Sequence, residues 1–217
     1  MIRTIYGFDD LGRKVPTGSY DDGLKAVGGR IFYIDSNSDE TVKFYDSSFN
    51  ELSNVAVGDT PSYYKVTSAG ISGKEKYYVY NQELKSGNDR YWGYYNITTG
   101  ATNQNFGYGK SNTSIILAIE DTSQYSYSYW TWLKEQNNNS VNGCNDWYIG
   151  TKSEYITLKN YIDNNADGTI IENIFTNDFI ITSTEYNAVG YIFWNKSGWW
   201  DTNKDGYSPR SYLIRSF

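Results

Sequence analysis

The chain has 217 residues, a formal net charge of −6 and 39% hydrophobic residues, enough for one sizeable domain with or without a small N-terminal extension. Acidic and basic residues are mixed along it without a basic stripe, which argues against nucleic acid and anionic membranes as partners. Histidine is absent and Cys144 is the single cysteine, so the commonest general base, a His-activated thiol, cysteine-cluster metal sites and internal disulfides are excluded.

The excess lies in aromatics, with 23 Tyr and 7 Trp. Each joins an apolar body to a polar handle, so a surplus beyond core needs favours contact surfaces, although β-rich folds also use Tyr for packing alone. Cys144 reads as a small buried hydrophobe. Met1 to Asp10 contain no apolar segment, and no run approaches transmembrane length. The sequence therefore predicts no signal peptide, no membrane insertion and synthesis in a bacterial cytoplasm. An outside location then requires lysis, a signal-less route or assembly into a particle.

Residues 1–27 are polar and rich in turn formers (Gly12, Pro16, Gly18, Gly23), which predicts an extended arm or attachment segment. Residues 28–86 read as a β-rich N-terminal part. Arg30 to Ile34 and Thr41 to Tyr45 are strand candidates expected to pair as a hairpin. Tyr63 to Thr67 and Lys76 to Tyr80 are expected to form a second pair around Gly70 and Gly73. Residues 87–217 are mixed. Ser111 is placed to cap a helix carrying Ile115, Ile116 and Ile119, and Tyr127 to Gln136 gathers Tyr129, Trp130 and Leu133 on one helical face. Asn137 to Asn139 reads as a loop tip. Thr151-Lys-Ser-Glu154 is a capping box, opening a helix with Tyr155, Leu158 and Ile162 that stops near Asn164-Asn165. Strands resume at Phe179–Ser183, Val189–Trp194 and Tyr212–Phe217. Hairpins, then helices, then a C-terminal sheet make the predicted class α+β.

Four short patterns recur in order. Gly107-x-Gly109-x-x-Asn112-Thr113 opens a helix; Cys144 is followed by Asp146-Trp147-Tyr148-Ile149-Gly150-Thr151; Ser183-Thr184-Glu185 lies in a strand; Ile214-Arg215 and Phe217 close the chain. In this order they resemble a C-type-lectin-like domain of the kind found in bacterial DUF1566 proteins, phage tail proteins and the variable proteins of diversity-generating retroelements. The match covers residues 87–217 and, more loosely, Gly28 to Tyr33; Gly150 stands where the family has proline. The resemblance implies a C-type-lectin-like fold with a buried last strand and with Trp147 and Phe217 in the core; Asp146 and Arg215 read as charge partners or as groups bonding the backbone near the chain end, since a buried charge must be compensated. Asn112 reads as a residue that bonds a local loop.

In those relatives the segment before the last strand is the ligand-binding and, in the retroelement proteins, the diversified one. Here it runs from Tyr191 to Arg210, and the candidate binding residues are Tyr191, Phe193, Trp194, Asn195, Lys196, Trp199, Trp200, Asp201, Asn203, Asp205, Tyr207 and Ser208. Rigid aromatics mixed with small adaptable polar groups are what recognition loops use, and Trp and Tyr faces suit sugar rings. The alternative is a structural loop whose Trp side chains pack inward; one of the three Trp at least is expected in the core. Asp201-x-Asn203-x-Asp205-Gly206 matches half of a calcium loop, but Tyr212 occupies the twelfth position, where a bidentate carboxylate is needed. An Asp/Asn turn closed by Gly206 is expected instead, with no metal and no cofactor.

These observations predict a binding or adhesion protein, not an enzyme, carried on a phage tail or other virion surface and contacting a host-surface glycan or protein receptor together with other tail subunits. The alternative is a structural or decoration virion protein whose domain packs against its neighbours; a homo-oligomer is open in either case. Oxidases that share the lectin-like fold need a cysteine pair or a metal site. A carboxylate pair such as Glu185 with Asp201 for glycoside cleavage is marked by nothing in the pattern.

Overall fold

In the computed structural model the described residues are 5–8, 14–17, 24–33, 42–56, 58–66, 77–79, 84–85, 92–93, 96–119, 128–165, 180–188, 190–195, 198–204 and 210–216. Short alternating runs broken by Gly, Asn and Asp become short strands: β1 (Ile5–Phe8), β2 (Lys14–Thr17), β3 (Leu24–Ala26), β4 (Arg30–Tyr33), β5 (Val42–Tyr45), β6 (Glu51–Leu52), β7 (Tyr63–Val66), β8 (Tyr77–Val79) and β9 (Leu84–Lys85). Helices α1 (Gly109–Ile119) and α2 (Tyr129–Asn138) follow, then β10 (Tyr148–Ile149) and α3 (Lys152–Asn165). The chain ends in β11 (Ile180–Asn187), β12 (Gly190–Asn195), β13 (Gly198–Asn203), β14 (Arg210–Ser211) and β15 (Leu213–Ser216). The class is α+β.

Among the described residues the strands form a β1-β2 hairpin and three larger sheets, ordered β10-β15-β8-β4, β13-β12-β11-β14-β9 and β3-β7-β5-β6. Two expected hairpins are corrected. The run at residues 30–34 does not pair with that at 41–45, because the turn at 56–59 takes the edge of β4: Ile31 N donates to Asp59 O at 3.0 Å and Gly58 N to Ile31 O at 2.7 Å. β5 pairs instead with β7, setting Val42 opposite Val66 and Phe44 opposite Tyr64. β7 and β8 do not pair with each other either, since β3 and β5 flank β7 while β4 and β15 flank β8. The stretch 1–27 is likewise more than an arm, because β3 joins β7 in the third sheet.

The division expected at residue 87 is crossed by hydrogen bonds. β4 and β8 complete the sheet of β15, and β9 pairs with β14. Two apolar clusters result. The larger one gathers Trp92, Trp130, Leu133, Trp147, Ile149, Leu158, Ile181, Leu213 and Ile214 between helices and sheets; the smaller holds Val27, Ile31, Val42, Phe44 and Tyr64. Arg215 joins them. Its Nε and Nη2 donate to Asp146 Oδ1 and Oδ2 at 2.7 and 3.1 Å, its Nη1 to Ala26 O and Val27 O, and its guanidinium lies 5.8 Å from the Tyr64 ring. The expected Asp146–Arg215 partnership is present, and Cys144 and Trp147 are buried as expected. Phe217 lies outside the described residues.

Gly28 has φ +77°, and a Cβ there would fall 2.6 Å from Cys144 Sγ and 2.9 Å from Trp147 Cζ2. Only glycine lets the chain pass so close to that pair. The capping box forms in both directions: Glu154 N donates to Thr151 Oγ1 at 3.2 Å, and Thr151 N to Glu154 Oε2 at 2.7 Å. α1 starts two residues before its expected cap. Ser111 is exposed inside the helix and Ile115 faces solvent, while Gly109, Asn112, Thr113 and Ile116 form the buried face. The reason is the close approach of α3, since a Cβ on Gly109 would meet Glu154 Oε2 at 2.2 Å. Asn112 Nδ2 donates to Asn103 O, the loop-bonding role expected of it. Asn137 is no loop tip. It lies in the last turn of α2, accepting from Trp147 N at 3.0 Å and donating to Trp147 O at 2.9 Å.

Candidate ligand-binding face

The segment expected to be a recognition loop is mainly a β-hairpin. β12 and β13 pair in register from Gly190 opposite Asn203 to Asn195 opposite Gly198, which sets Trp194 opposite Trp199 and Phe193 opposite Trp200 along the backbone. Cross-strand aromatic pairs at such positions stabilise a ladder by about 0.2–1 kcal/mol each. Gly198 has φ +134° with nothing within 4 Å of a would-be Cβ, so it is the turn's backbone, not crowding, that calls for glycine. Among the described residues β13 is the outermost strand of its sheet.

The candidate residues separate by position. Tyr191 is corrected: it is 0% exposed, tilts against Trp130 at 5.6 Å between ring centroids and belongs to the core, so it presents nothing to a ligand. The register explains this, because Tyr191 lies opposite Glu185 of β11, another buried residue. Trp199 is half-buried against the core, with the Lys152 ammonium 5.3 Å from its ring centroid. Asp201 and Asn203 are exposed, and the alternation of a strand puts both on the face of β13 that carries Trp199. Phe193, Trp194, Asn195 and Trp200 have the backbone positions given above; their side chains, and Lys196, Asp205, Tyr207 and Ser208 altogether, lie outside the described residues. Asp201 and Asn203 sit in a paired strand, a geometry different from the curled loop that a calcium site requires.

The base of the hairpin holds what sequence reasoning missed. Glu185 accepts from Thr99 N at 2.8 and 2.9 Å and from Gly100 N at 2.8 Å, while its own N donates to Ala101 O at 2.8 Å. Lys204, just beyond β13, is completely buried. Its ammonium bonds Glu185 Oε1 and Ile97 O and stands 5.1 Å from the Tyr191 ring centroid. Glu185 is therefore engaged on every side and is not a carboxylate poised over a substrate with Asp201. The signal was present in the sequence: a carboxylate inside the apolar and hydroxylated run Ile180 to Glu185 demands a buried partner.

No family model, curated protein or solved structure matches the chain.

Proposed function

We propose that this chain is a ligand-binding or adhesion protein, without enzymatic activity, that displays the β12–β13 hairpin from a phage tail or other virion surface to a host-surface glycan or protein receptor. The observation that carries this reading is the face of β13, where Trp199, Asp201 and Asn203 alternate along an outermost strand whose base is pinned by buried bonds. A rigid aromatic beside small polar groups on a fixed element is the composition of recognition surfaces. A C-type-lectin-like arrangement fits the same picture, in which the last strand β15 lies inside a sheet and the display hairpin comes before it.

A second reading has its own support. An outermost strand also offers an edge to a neighbouring subunit, as expected of a structural or decoration protein. The deciding experiment is binding of the purified protein to whole bacterial cells. Wild type is compared with Trp199→Ala/Trp200→Ala and, because Trp199 also packs inward, with the exposed pair Asp201→Ala/Asn203→Ala. Binding lost in both variants at unchanged thermal unfolding supports recognition through this face. Absence of cell binding, together with assembly of the wild type into rings or particles that the variants disrupt, supports the structural role and overturns the first.

A further inference from the structure

Lys152 departs from a local preference. It is the first residue of α3, where the positive end of the helix dipole disfavours a cation, and among the described residues it has no ion-pair partner. The helix end itself is closed, because the capping box occupies Thr151 N and Glu154 N. What lies against the ammonium is the Trp199 ring, with the centroid 5.3 Å away. A ring attracts a cation without cancelling its charge. Lys152 and Trp199 are both partly exposed, and departures of this kind are expected at functional positions. Beyond Trp199 the same face of β13 carries the exposed Asp201 and Asn203, at steps of about 7 Å along the strand.

We propose that Lys152 is a binding residue of this face and that the ligand is an acidic glycan, whose anionic group pairs with the ammonium while its hydroxyls meet Asp201 and Asn203. This rests on the function proposed above and names the ligand class of that face. The other charged side chains described on the two elements are Lys159, two turns further along the same side of α3, the buried Glu154, and Asp201; Lys204, just beyond β13, is buried against Glu185. The Trp199 ring holds the Lys152 chain in place beforehand, so less side-chain freedom is lost when an anion binds. An ammonium bonds a carboxylate or phosphate more strongly than a neutral hydroxyl, which favours an acidic sugar over an uncharged one. The Asp201 carboxylate accepts from hydroxyls, and the Asn203 amide both donates and accepts. Asp201 and the net charge of −6 disfavour a densely charged polyanion, so the ligand is an isolated acidic sugar among neutral ones.

The test is a glycan array with neutral, carboxylated and phosphorylated glycans, probed with wild type, Lys152→Gln and Lys152→Arg, alongside whole-cell binding by the same proteins. Gln keeps the length of the chain and relieves the helix end of a cation, so the variant is expected to fold, and thermal unfolding checks that it does. The expected result is a preference for acidic glycans that Lys152→Gln reduces about tenfold or more and Lys152→Arg restores. Added salt should weaken wild-type binding and leave what remains in Lys152→Gln nearly unchanged. The carboxylated and phosphorylated members of the array separate the two sources of the anion. A preference for neutral glycans, or acidic-glycan binding that Lys152→Gln leaves intact, overturns the proposal and reduces Lys152 to packing on Trp199. Cell binding with a blank array overturns it as well and leaves the adhesion role standing; absence of cell binding removes both.

Discussion

Arg215 lies near the chain end with 5% of its surface exposed, and Asp146 supplies two of the bonds that make this tolerable. Burial by itself lowers the pKa of a guanidinium; the hydrogen bond and charge of Asp146 outweigh it, and the net direction is upward. Asp146→Ala leaves a buried cation short of its counterion. Because the Asp146 side chain is 27% exposed, the expected loss lies toward the low end for broken buried pairs, about 2–3 kcal/mol in urea unfolding. Tyr155 presents the opposite case. Its hydroxyl donates to Tyr212 O at 2.7 Å and accepts from Gly150 N at 3.1 Å, and burial pushes its pKa up, as it does that of Tyr64. Both phenols keep their protons in the folded chain when those of the unfolded chain ionise near pH 10. Above that pH the unfolded state binds fewer protons, so stability falls as pH rises. Denaturation curves at pH 9 to 11 should show this slope, and Tyr155→Phe should flatten it. The Asp146–Arg215 pair was legible in the sequence, since a charge in an apolar last strand announces a need. That its backbone partners would be Ala26 and Val27, far away in sequence, was not, because carbonyls leave no mark on side-chain pattern.

At the scale of elements, local rules succeeded where both partners lie close in sequence. The capping box at Thr151 and the helix following Ser128 needed only residues a turn apart. Strand pairing failed where it depended on distant edges. Nothing in residues 30–45 reveals that the turn at 56–59 will occupy the side of β4, or that the C-terminal strand will lie beside β8. Of the hairpin β12–β13, only the first strand was legible; residues 198–203 read as part of a recognition loop, because their pairing with β12 and the buried Glu185–Lys204 bond at their base leave no local mark in the sequence. The sheet order has a kinetic consequence. Among the described residues β11 is paired on both sides and β13 on one, so amide exchange should be slowest in β11 and faster in β13. Hydrogen exchange read by mass spectrometry checks this; equal protection across the two strands would mean that something covers the free edge.

For the whole molecule, hydrogen bonds across residue 87 bind N-terminal strands into C-terminal sheets. A fragment of residues 87–217 keeps β10 and β15 but loses β8 and β4 from the same sheet, and loses Ala26 and Val27 as acceptors for Arg215. The expected outcome is no cooperative thermal transition for that fragment, read by circular dichroism, where the full chain shows one. On the function proposed above, the binding face is borne by β13, the outermost strand of its sheet among the described residues. The measurement that tests this most directly is cell binding by Trp199→Ala/Trp200→Ala and Asp201→Ala/Asn203→Ala against wild type, each folded as judged by thermal unfolding. The account predicts that affinity falls about tenfold or more in both. Undiminished binding by both variants would contradict it.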